Sequence, residues 1–141
     1  MEKEVCIRIE SVQTGVDGTK ETFVTTAEGS FFEKNGEYYV MFEEAVEDSG
    51  EVIKNRLQIS EKGVLLRKSG ACRWEMFFAK GDKRDSDYHT PFGVIPMSVE
   101  TFELERQEEK EYMNLLIGYR LSSAGEMISN CKMNIEIKSN T

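Results

Sequence analysis

The stretch "DKRDSDYHTPFG" holds the only histidine of the chain, His89, with Asp87 and Asp85 before it at two-residue spacing. Histidine is the usual general base and the commonest metal ligand, so this is the first place to look for chemistry. In an extended strand that spacing puts all three side chains on one face. An Asp–His contact there can orient an imidazole, but no nucleophile stands beside it, and catalysis needs base, orienter and reacting group together. His89 reads as a solvated strand-end histidine.

The carboxylates Asp82, Asp85 and Asp87 suggest a calcium loop, but the central glycine and the closing bidentate glutamate are missing. Zinc needs paired ligand spacing, which one histidine and the scattered Cys6, Cys72 and Cys131 do not supply. Cys72 falls in phase with Trp74 and Met76, and Cys131 with Met133 and Ile135. All three cysteines read as small buried apolar groups, and burial makes a thiol inert. There is no phosphate-binding glycine loop and no nucleophile elbow. The sequence therefore assigns no catalytic residue, no metal ligand and no cofactor.

What remains are binding groups. Trp74, the only tryptophan, alternates with Met76 and Phe78 and reads first as a core filler, with a ligand-facing role as the alternative. Thr25 and Tyr119 interrupt otherwise apolar faces, where a hydroxyl must find a partner in the wall or on a ligand.

The elements that position these groups are strands. Val and Ile number 19 against 12 for Leu plus Ala, and branched side chains suit a pleated surface. Period-two alternation runs through Val5, Ile7 and Ile9, and through Phe23, Thr25, Ala27, Gly29 and Phe31. It returns in Met113, Leu115, Ile117, Tyr119 and Leu121, and most clearly in Cys131, Met133, Ile135 and Ile137. Asn35-Gly36 and Asp17-Gly18 are tight-hairpin dipeptides. Gly29 and Gly118 fall inside strands, where a wall bends. "ELERQEEKEY" has helix-forming residues but no apolar stripe, and reads as the charged tip of a long hairpin.

About ten antiparallel strands with one apolar face must form a sandwich or close into a barrel. Closure removes exposed edges, so the expected fold is all-β: a single antiparallel barrel occupying residues 1–141 as one domain. A net charge of −8 makes nucleic acid and anionic membranes poor partners. With no signal-like or membrane-length apolar run, the expected location is the cytoplasm.

The run "LQISEKGVLLRKSGACRWEMFFAKG" followed by "DYHTPFG" resembles the YwiB-like family of bacterial proteins, a domain of unknown function. The resemblance extends from "IRIESVQ" to "CKMNIEIK" and implies a calycin-like (lipocalin-like) β-barrel; it implies no reaction. In the family an arginine usually stands two residues before the first corner glycine, and here that position is Lys68. A cation is kept, without the bidentate fork.

Two readings follow. In the first, the barrel is a non-enzymatic module that holds a small, partly apolar ligand in its interior or mouth, with Thr25, Lys68, Trp74, Tyr88 and Tyr119 as candidate contacts. In the second, a filled core serves a structural or protein-interaction role, as monomer or homodimer. Catalysis would require His89, Tyr88 and Cys72 to converge in one cleft.

Overall fold

The computed structural model describes residues 2–140 apart from Glu47, and the side chain of Glu2 is not described. Ten strands follow one another: β1 (Glu2–Gly15), β2 (Lys20–Lys34), β3 (Glu37–Ala45), β4 (Val52–Ser60), β5 (Gly63–Gly70), β6 (Trp74–Phe78), β7 (Lys83–Thr90), β8 (Gly93–Glu109), β9 (Tyr112–Ser123) and β10 (Glu126–Ser139). No described residue is helical, so no helix is long and apolar enough to cross a membrane. The strands form one antiparallel sheet in the order β6-β5-β4-β3-β2-β1-β10-β9-β8-β7, a meander joined at β1–β10 and curled into a nearly closed barrel.

Alternation places one apolar set inward. Val40, Leu57, Phe78, Val99, Leu115, Ile117 and Ile135 are sealed from solvent and fill the middle of the barrel. Asn35-Gly36 makes the tight β2–β3 turn with both residues at positive φ, 55° and 79°. Asp17-Gly18 differs from its expected two-residue turn. It lies in a four-residue loop in which the Asp17 carboxylate accepts from the N–H and hydroxyl of Thr19, each at 2.9 Å. The cysteines also divide: Cys131 is buried, Cys72 half-buried and Cys6 exposed. Cys6 sits between the inward Val5 and Ile7, so strand phase turns it to solvent.

The charged segment is a hairpin tip, β8 turning into β9 at residues 109–112. It folds towards one end of the barrel, where the Tyr38 hydroxyl donates to Glu108 at 2.7 Å and Arg106 lies 5.1 Å from the Tyr38 ring centre. The turns after β1, β3, β5, β7 and β9 gather at the opposite end.

Closure is incomplete in two places, so the expectation that a barrel abolishes its edges fails here. Between β6 and β7 there is no ladder, only a single bridge in which Arg73 and His89 exchange backbone hydrogen bonds of 3.0 and 2.8 Å. Between β2 and β3 pairing stops at Gly29↔Phe42. A Cβ on Gly29 would collide with the Met41 carbonyl and come within 2.8 Å of Ile7 Cδ1, so glycine permits the close approach at this apex. Beyond it, Lys20–Glu28 runs beside β1 alone among the described strands.

Candidate functional site

The inward rows change character towards the end where the odd-numbered strands finish. On β3 the row Val40, Phe42 ends in Glu44; on β4 the row Ile59, Leu57 ends in Asn55; on β5 the row Val64, Leu66 ends in Lys68. Three neighbouring strands thus direct polar groups at one another. Lys68 Nζ donates to Asn55 Oδ1 at 2.8 Å and to Glu44 Oε1 at 3.1 Å, and Asn55 Nδ2 donates to Glu44 Oε1 at 2.8 Å. Asn55 is 3% exposed, whereas the Lys68 and Glu44 side chains retain 22% and 25% of their surface. Water therefore reaches this layer, although the apolar layer beneath it is sealed.

The next strand continues the cluster. Trp74 pairs with Lys68 across β5 and β6. Its indole N–H crosses the open seam to the Ser86 hydroxyl at 2.9 Å, and its ring stacks on Tyr88 with centroids 4.8 Å apart. Where backbone pairing is missing between β6 and β7, these side chains hold the seam, together with Arg84, 4.1 Å from the Phe77 ring centre. Trp74 is half-buried, so it packs at the seam and not at the centre of the core. Burial, with the Cys72 thiol beside it, pushes the Tyr88 phenol above its ordinary pKa.

A pocket of about 350 Å³ opens here, lined by Lys68, Trp74, Ser86, Arg73, Asp87 and His89, with Arg67, Ser69 and Glu75 completing the wall. Its fixed charges are three cations and two carboxylates, a local reversal of a chain with net charge −8. Arg67 is taken by Glu75 at 3.0 Å. Arg73 has no ion-pair partner among the described residues. The volume suits a small molecule, and the half-buried indole supplies its apolar wall. A second pocket, of about 200 Å³ at the hairpin-capped end, includes Phe31, Tyr38 and Lys3. Its lining cation, Lys3, already pairs with Glu111 at 3.6 Å and sits 5.4 Å from the Phe31 ring centre, so that charge is satisfied within the site.

Of the five candidate contacts, Lys68, Trp74 and Tyr88 come together at this seam. Tyr119 lies deep in the barrel, 8% exposed, with its ring 4.9 Å from Phe78. Burial, with Cys131 next to it, pushes its phenol far above the ordinary tyrosine value. Thr25 lies half-buried on the part of β2 that has left β3, opposite Ile9. His89 and Cys72 flank the seam, but no nucleophile–base hydrogen bond joins them among the described residues. No cluster of three or more metal-ligating side chains occurs among the described residues.

Sequence reasoning missed Glu44, Asn55 and Ser86. Glu44 and Asn55 carry the same signal that singled out Thr25 and Tyr119, a polar residue closing an apolar alternation. Ser86 carries none, because only the curl of the sheet brings β7 against β6.

Known proteins resemble the chain along most of its length. It is 26% identical over 110 residues to the "Uncharacterized beta-barrel protein YwiB" of Bacillus subtilis (strain 168), spanning 78% of this chain and 76% of that one. The crystal structure of the ywiB protein from Bacillus subtilis superposes with a TM-score of 0.87 at 23% identity, over 99% of this chain and 94% of the other. The barrel path of this chain is thus the one seen in that crystal structure. Residues 7–135 match the family described as Domain of unknown function (DUF1934), and the chain belongs to that family.

Proposed function

We propose that this barrel is a non-enzymatic binding module that takes one small, partly apolar ligand at the β6–β7 seam, its apolar part on Trp74 and its anionic head towards Lys68 and Arg73. The observation that carries the reading is the pocket itself. It joins a half-buried tryptophan to Lys68 and to Arg73, which has no ion-pair partner among the described residues, on an otherwise acidic protein. A packed wall needs neither a solvent-reached Lys–Asn–Glu set nor an aromatic pair spanning a gap, and both have a use if a ligand completes the seam. Barrels of this size commonly hold one small molecule. The absence of a joined nucleophile and base favours binding over turnover. A cytoplasmic location fits the composition and belongs to the same proposal.

The test uses 1-anilinonaphthalene-8-sulfonate, a probe with an aromatic body and an anionic head. Trp74 is the only tryptophan, so its quenching reports binding beside it. The expected result is saturable one-to-one binding with quenching of Trp74. Lys68→Met should weaken it roughly tenfold, the scale of one lost charge-assisted contact. Ser86→Leu, which removes the indole's hydrogen-bond partner and fills the seam, should weaken it as well. Binding that leaves Trp74 unquenched, or that both variants leave unchanged, would place the probe elsewhere and overturn the assignment. Native mass spectrometry of the purified protein then looks for a resident ligand lost on denaturation.

A further inference from the structure

We infer that the free edge of β2 is a self-complementary interface through which two copies of this chain pair, antiparallel, into one continuous sheet about a two-fold axis at Val24. The ladder between β2 and β3 stops at Gly29, and residues Lys20–Glu28 have β1 on one side and no strand on the other among the described residues. In an antiparallel strand every second residue turns its N–H and C=O to a given side, so this edge presents a row of unpaired donors and acceptors.

Natural proteins protect such edges with charge, and this molecule does so elsewhere. Along the seam β7 carries Lys83, Arg84, Asp85 and Asp87. The part of β8 beyond its pairing with β7 reads "TFELERQEE", with five charged residues from Glu103 onward. The β2 edge lacks this device. Between Glu21 and Glu28 it reads "TFVTTA", six uncharged residues that favour strands and include no proline. Phe23 and Val24 are 49% and 52% exposed. An uncovered edge of this kind is an aggregation hazard, which a specific partner removes.

The sequence of the edge says what the partner is. Antiparallel pairing with a second copy about Val24 sets Lys20 against Glu28 of the other copy, twice by symmetry, Thr22 against Thr26 and Phe23 against Thr25. Cross-strand pairs of these kinds are favourable. A register slipped by one residue instead sets Glu21 against Glu28, like against like. Neither Lys20 nor Glu28 has an ion-pair partner among the described residues, so both are free to take these roles. The interface is isologous, the commonest form of soluble dimer.

Sedimentation velocity over a concentration series tests the proposal. The expected species has twice the 16.2 kDa chain mass and dissociates on dilution. Val24→Lys, which sets two ammonium groups together on the axis, should leave a monomer. Lys20→Glu should raise the dimer dissociation constant roughly tenfold, since two symmetric attractive pairs become repulsive. Adding Glu28→Lys should restore it, which a merely destabilising change would not do. In a Cys6→Ser background, Val24→Cys should form an intermolecular disulfide under mild oxidation. A wild type that stays monomeric at every soluble concentration overturns the proposal. So does a dimer that survives Val24→Lys, or a charge swap that fails to restore pairing.

Discussion

Replacing Lys68 by methionine keeps an unbranched apolar stem out to Cε and removes the ammonium, and the structure fixes what is lost. Asn55 Oδ1 loses its donor at 2.8 Å while remaining 3% exposed, so water cannot easily replace it. An orphaned buried acceptor costs ~1–3 kcal/mol. Glu44 loses an ion-pair partner at 3.1 Å, but with about a quarter of each side chain exposed, that loss is discounted to about 1 kcal/mol or less. Relief of the ammonium's own desolvation offsets part of both. The net expectation is a destabilisation of about 2 kcal/mol, or about 7 °C in Tm for a chain of this length. Urea unfolding followed through Trp74 fluorescence measures it, with the m-value checking that the transition keeps its cooperativity. The triple variant Glu44→Leu/Asn55→Leu/Lys68→Met removes every member together and should return to within ~1 kcal/mol of the starting protein, because nothing buried is left unpaired. A Lys68→Met protein that unfolds at the wild-type midpoint would refute the claim that the three groups satisfy one another. A triple variant as unstable as the single would refute the claim that unpaired polarity is the cause.

Two further outcomes follow from single side chains. The Thr101 hydroxyl is completely buried and has no hydrogen-bond partner among the described residues, so Thr101→Val should stabilise the protein by ~1 kcal/mol, read as a rise in Tm. Loss of stability in that variant would mean the hydroxyl is bonded after all. The Tyr38–Glu108 bond, supported by Arg106, holds the Glu108 carboxyl below its ordinary pKa and the Tyr38 phenol above its own. Glu108 therefore contributes stability that is present above its unfolded pKa and disappears as pH falls through the lower folded value. Tyr38 contributes stability that is full below its unfolded pKa and disappears as pH rises through the raised folded value. Tyr38→Phe should thus lower Tm slightly at neutral pH, by an amount that vanishes in strong acid; a pH-independent difference would show that packing and not the bond is responsible.

The strands were legible because period two is a local property. Cys131, Met133, Ile135 and Ile137 face inward as the alternation requires, and the tight Asn35-Gly36 turn follows from the positive φ those residues tolerate. Chain direction and short links then force an antiparallel meander, and the need to hide one apolar face favours a barrel. Alternation singled out Trp74 and the family resemblance singled out Lys68, but neither gave their relation. Lys68 needed Glu44 and Asn55 from neighbouring strands, a matter of register and not of period. Trp74 needed Ser86 across a seam that exists only because the curled sheet brings its first and last strands together. The sequence could not place Thr25 outside that cluster either, since the departure of β2 from β3 depends on where the twisting wall parts. Alternation thus determined which side of the sheet each residue faces, because that choice is made residue by residue. Only the closed tertiary path decided which inward residues meet and which edges stay open, because both depend on strands far apart in the chain.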